Sequence, residues 1–166
     1  SRPSGRASAA APTIAGTAEW EARDATEEIE IRESKPTFIV VHHTATENSS
    51  DTSKEHAFEL ARTIQDLHMD SNGWGDTGQN FTNSRGGWLM EGRHESLATL
   101  QDGTRYVKGI HAGDANTDSQ GIENEGLYTD EDVPDELWNS LVELCAYICS
   151  QYGIPAGEIY GHRDFM

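Results

Sequence analysis

Between residues 37 and 43 the chain is almost continuously apolar and β-branched, with Phe38, Ile39, Val40 and Val41 leading into His42 and His43. That pattern predicts a strand covered on both faces. The period then changes: Phe58, Ala61, Ile64 and Leu67 recur at helical spacing behind the cap candidates Asp51, Thr52 and Ser53, predicting a helix to about Met69. Residues 70–78 hold three glycines and read as loop. Short strand-like runs follow at 79–83, 88–91, 105–111 and 120–125, with Arg85-Gly86-Gly87 as a hairpin turn between the first two. Leu137, Leu141, Leu144, Cys145 and Ile148 mark a second long helix, opened near Asp132 and Pro134 and closed at Gly153. A last short strand at 158–161 delivers His162. Strands interleaved with two long helices predict an α/β fold, a central mixed β-sheet flanked by helices in one domain. Residues 1–18, rich in Ser, Ala, Gly and Pro, predict a flexible arm, which leaves 19–166 for the domain.

Composition narrows the function classes. With 166 residues and 35% hydrophobic content, the chain suits a single core, and a monomer is expected. No apolar run reaches the eighteen or so residues of a membrane span, so no membrane insertion is expected. The chain has no initiating Met and no basic-then-apolar leader, so a signal peptide is expected to have been removed or left out. Acidic residues number 29 against 12 basic ones, a net charge of −17. Without clustered Lys and Arg, nucleic acid is excluded as a partner; the charge reads as a solvated, solubilising surface. Cys145 and Cys149 sit four apart on the core face of the second helix. They are read as small buried hydrophobes, because geometry on a regular helix is poor for a disulfide.

The candidate chemistry lies at strand ends. His42 and His43 close the first buried strand, so one points to each face. His111 and His162 also sit at or just beyond strand ends. Carboxyl edges of sheets are where sites are commonly built, and neutral imidazole is the usual nitrogen ligand of zinc. Glu123 and Glu125 fall on one face of the run 120–125, where a buried carboxylate is costly unless paired or working. His56, His68 and His94 are read as surface or packing residues.

Val40-Val41-His42-His43-Thr44-Ala45 resembles the first metal motif of the zinc-dependent N-acetylmuramoyl-L-alanine amidases, the superfamily that includes peptidoglycan recognition proteins and amidase-type phage lysozymes. Four further segments match in the family's order. Glu19-Trp20-Glu21-Ala22-Arg23 resembles its Trp-Gly-Ala-Arg signature, with Glu in place of Gly. The segment from His68 through Trp74 to Asn80 and Phe81 matches a helix end and the following strand. His111-Ala112-Gly113 and Gly161-His162-Arg163-Asp164 complete the set, and the resemblance covers about residues 19–166.

The resemblance implies zinc held by His42 and His162, with Glu123 as the catalytic base and Glu125 as second choice. It implies a substrate groove lined by His111, with Trp74 and Asn80 as further groove residues. The implied substrate is peptidoglycan or a muropeptide, cut between N-acetylmuramic acid and L-alanine, and the implied location is secreted or cell-wall associated. Two departures stand out. Gln79 replaces a Tyr found in many members. The family's third zinc ligand, a Cys or Asp, follows the His-Arg-Asp motif, so it is expected beyond Met166. A non-catalytic peptidoglycan-binding domain and a metal hydrolase of another amide are the alternatives.

Overall fold

The computed structural model describes residues 9–161. In chain order the strands are β1 (Ile14–Ala15), β2 (Ile31–Arg32), β3 (Phe38–His43), β4 (Phe81–Asn83), β5 (Leu89–Glu91), β6 (Tyr106–Val107), β7 (Ser119–Asn124) and β8 (Ile159–Gly161). The helices are α1 (Lys54–Asp66), α2 (Ser96–Asp102) and α3 (Asp135–Tyr152). Six strands form one sheet in the order β1-β5-β4-β7-β3-β8, and β2 and β6 form a separate antiparallel ribbon. Among the described residues, only β4 and β5 pair antiparallel within the large sheet. This is the mixed sheet with flanking helices that the sequence predicts.

Each face of the sheet is closed by its own helix. Ile39, Phe81 and Ile122 pack with Leu144 and Ile148 of α3 in the larger cluster. On the opposite face Met90 packs with Trp20 and with Ala57 and Ala61 of α1. The small residues of α1 let it approach the sheet closely there. Ser53 caps α1 by accepting from the His56 amide, and Gly153 ends α3 in the left-handed conformation. The Arg85-Gly86-Gly87 turn joins β4 to β5, with Gly87 at φ +85° and its amide bonded to Ser84 O. Cys145 is buried in the α3 core and Cys149 half-buried beside it, both as free thiols. Burial pushes the Cys145 thiol up to about 12.

Several expectations are corrected. The described part of the 1–18 arm is anchored: Ile14 and Ala15 pair with Leu89 and Met90, and Ala15 is buried. Trp20, fully buried, then donates from Nε1 to Glu91 O at 2.7 Å. The run 105–111 is strand only at Tyr106–Val107; beyond it Ile110 donates to Gly78 O, and His111 and Ala112 both donate to Asn116 Oδ1. Those bonds turn the backbone away from any ladder. The helix α2 has no counterpart in the apolar pattern, because two of its three buried residues are Ser96 and Thr99. His162 lies outside the described residues.

Candidate active site

Parallel strands end at the same level on the same side, and this is where the site forms. The register pairs His42 with Glu123 across β3 and β7, and Thr82 of β4 with Glu123 on its other side. All three side chains share the face opposite α3, since neighbouring Val41 and Ile122 contribute to the α3 cluster. His42 is 5% exposed and Glu123 9% exposed. His43 points the other way, is exposed, and its Nδ1 lies 3.4 Å from Gly126 O. The last described pair of the neighbouring ladder is Val41 with Gly161, the residue before His162.

Glu123 is unusual among the buried carboxylates. Burial alone pushes its pKa from 4.5 to about 7, and the hydrogen bond it accepts from Gln79 Nε2 is long, 3.5 Å. Glu125 is also buried, but its carboxylate takes His56 Nε2 at 2.6 Å and the Arg85 amide at 2.9 Å. Asp76 is fully buried as well. Burial raises its pKa, yet bonds from the His94 ring and amide and from Gln65 Nε2 outweigh this and hold it below the usual carboxylate range. Glu125 and Asp76 are thus tied down by hydrogen bonds, whereas at Glu123 burial dominates.

His111 approaches from the loop after β6. Its Nδ1 lies 2.9 Å from His42 Nε2, with the rings nearly perpendicular at 86°. Its Nε2 lies 3.3 Å from Ser119 Oγ. Gly121 makes the approach feasible: a Cβ there would sit 2.7 Å from both His111 Cγ and Gln79 Oε1. Both ring nitrogens of His111 therefore face protein partners, and the ring is held as part of the support around His42.

The remaining candidates separate. Asn80 is fully buried and its amide is consumed internally: Nδ2 donates to Val107 O and Ser96 Oγ, and Oδ1 accepts from the Gly121 amide. It clamps β7 to the loop carrying His111 and does not line a groove. Trp74 is half-buried, tilts against His68 at a ring separation of 4.8 Å and covers Gly78. His56 and His94, read from sequence as surface or packing residues, instead pair with buried carboxylates. His68 accepts from the Gly78 amide at Nδ1, and burial lowers its pKa. Neither Gln79 nor Ser119 is marked by the apolar pattern, because what defines them is a distant partner.

Does this site suit zinc? Among the described residues no three His, Cys, Asp or Glu side chains converge as a ready metal cluster. The chemistry of the donor set nevertheless fits a cation. The His42 imidazole and the desolvated Glu123 carboxylate lie side by side. Among the described residues Gln79 Oε1, buried next to Glu123, also has no hydrogen-bond donor. Excess acceptors in a dry site are what a positive charge would offset.

A profile of the N-acetylmuramoyl-L-alanine amidase family matches residues 32–166. Peptidoglycan-recognition protein SC2 of Drosophila simulans is 33% identical over 153 residues, 92% of this chain and 76% of that protein. The N-acetylmuramoyl-L-alanine amidase of Sus scrofa is 26% identical over 131 residues, 78% of this chain and 20% of that longer protein. Among solved structures, the complex of tracheal cytotoxin with the ectodomains of peptidoglycan recognition proteins LCa and LCx gives a TM-score of 0.79. The match has 26% identity and covers 93% of this chain and 87% of that one. With the profile spanning most of its length and the sheet order bringing His42 beside Glu123, this chain belongs to the N-acetylmuramoyl-L-alanine amidase family, in the superfamily shared with peptidoglycan recognition proteins.

Proposed function

We propose that this protein is a zinc-dependent amidase that hydrolyses the bond between the lactyl group of N-acetylmuramic acid and L-alanine in peptidoglycan or muropeptides. The observation that carries the reading is Glu123, desolvated to a pKa of about 7 beside His42 at the carboxyl ends of parallel strands. Family membership supports a peptidoglycan-related role, and the relatives' names point the same way. A secreted or wall-associated monomer fits such a substrate.

His42 and His162 would hold the metal. Bound zinc supplies a lowered water pKa and a polarised carbonyl. The residues of the chain do the rest. Glu123, near half-ionised at neutral pH, accepts a proton from the attacking water and returns it to the leaving amine of L-alanine. Water's oxygen thus bonds to the lactyl carbon, the C–N bond breaks, and the nitrogen leaves as a neutral amine. The Gln79 amide steadies the Glu123 carboxylate from one side. His111 backs His42, and Trp74 offers a flat apolar wall for sugar or peptide.

A second reading, binding without cleavage, draws on Gln79 in place of a phenol and on relatives that are named recognition proteins. One digest separates the two. Purified peptidoglycan is incubated with the protein, with and without chelator and zinc add-back, and new L-alanine amino termini are sought by mass spectrometry. Release that chelation stops, zinc restores and Glu123→Gln abolishes is the expected result. Retention of stem peptides with no release overturns the amidase in favour of recognition.

A further inference from the structure

We propose that Ser119 is a positioning residue which, acting through His111, fixes the proton of His42 on Nε2 and so presents the Nδ1 lone pair to the metal. The proposal rests on the amidase reading for the metal and on hydrogen-bond geometry for the rest.

The chain of bonds has one consistent direction. Ser119 Oγ carries a single proton, and its 2.5 Å contact with Ala115 O claims it. Toward His111 Nε2, 3.3 Å away, Ser119 can then only accept. His111 therefore carries a proton on Nε2, and in the neutral ring Nδ1 is then the acceptor. His42 Nε2, 2.9 Å from that Nδ1, must in turn be the donor. A neutral His42 with its proton on Nε2 holds its lone pair on Nδ1. Metal-binding histidines characteristically donate their other ring N–H in this way, which fixes tautomer and ring orientation.

The surroundings are built to keep this chain in place. Ser119, Gly121 and Glu123 alternate along one face of β7. The bare backbone of Gly121 leaves the space that the His111 ring fills. Asn116 Oδ1 takes the amides of His111 and Ala112, both at 2.7 Å, and pins the loop. Ser119 itself is fully buried, so solvent cannot replace its hydroxyl.

The test compares wild type, Ser119→Ala and Ser119→Thr, the last keeping a hydroxyl. Long-range proton–nitrogen correlation spectra of the metal-free proteins assign the tautomers of His42 and His111. Competition with a chromophoric chelator gives zinc affinity. In the wild type both rings should carry their proton on Nε2. Ser119→Ala should mix the tautomers of both rings and weaken zinc binding by roughly 10–100-fold, and Ser119→Thr should restore both. A wild-type His42 protonated on Nδ1 overturns the proposal, as does Ser119→Ala with unchanged tautomers and affinity. Tautomers that respond as expected in a protein that binds no zinc uphold the relay and overturn the amidase reading instead.

Discussion

Replacing Glu123 by Gln should make the metal-free protein more stable while removing its hydrolytic activity. Gln has the shape of a protonated Glu, and its Oε1 can keep the Gln79 contact, so the change removes mainly the charge. Holding the carboxyl at about 7 against an ordinary 4.5 means the ionised form destabilises the fold by about 3 kcal/mol, at 1.36 kcal/mol per pKa unit. The sign follows from proton counting. Between the two values the folded state binds more protons than the unfolded state, so stability falls as pH rises and levels off above the folded value. Of the full penalty, about 2 kcal/mol should develop between pH 5.5 and 8.5. The assay is urea unfolding of both proteins in chelator across that range, clear of the isoelectric point near 4.6. At pH 8.5 the variant should melt roughly 6–12 °C higher in a chain of this size. A stability gap that does not widen with pH, or a variant less stable at pH 8.5, refutes the claim that Glu123 holds an uncompensated buried charge.

Three other perturbations probe the support around the site. Asp76→Asn should lower the pKa of His94, which is raised chiefly by the hydrogen bond its ring donates to the Asp76 carboxylate, and cost about 1–3 kcal/mol. The His94 share is complete below pH 6.5 and lost as pH rises through its raised folded value, so the penalty should narrow there; an unmoved His94 proton titration contradicts this. Gly121→Ala drives a methyl to 2.7 Å from His111 Cγ and Gln79 Oε1; about 1–3 kcal/mol of stability should be lost, and peptidoglycan digestion should fall at least about tenfold. Wild-type rates in this variant would show that the ring's seat is irrelevant. Glu21→Gly should raise stability by about 0.5–1 kcal/mol in thermal melts, because Glu21 sits at φ +61°, a left-handed conformation that costs side-chain-bearing residues. A lower melting point would place the strain elsewhere.

That last position shows how far the sequence could be read. The departure from Trp-Gly-Ala-Arg at Glu21 was visible in the sequence, and the backbone angle supplies its physical meaning. The strand β3 and the helices α1 and α3 were legible because their apolar periods are long and local. The two-residue strand β1 was hidden among small residues, since its pairing with Leu89 and Met90 is settled far along the chain. Asn80 looked like a groove residue because an amide suits peptide recognition. Only the fold reveals that Val107 O, Ser96 Oγ and the Gly121 amide already occupy it. Histidines and carboxylates could be nominated from strand ends, but His42–Glu123 register and the His56–Glu125 pairing are products of three-dimensional assembly.

The distribution of satisfied and unsatisfied polar groups separates scaffold from chemistry. On the α3 side Asn83 donates to Asn124 Oδ1 and Leu137 O and accepts from Ser140. Asn124 in turn donates to His42 O. That closed network fixes the backbone of His42, and its cost of burial is offset bond by bond. Across the sheet the balance is left open: Glu123 bears a desolvated carboxyl, and the neighbouring Gln79 Oε1 has no donor among the described residues. A fold selected for stability alone would place an apolar side chain at either position. Beside His42 the sheet therefore leaves a desolvated carboxyl and an acceptor without a donor next to each other, the opposite of the bonded asparagine network behind it.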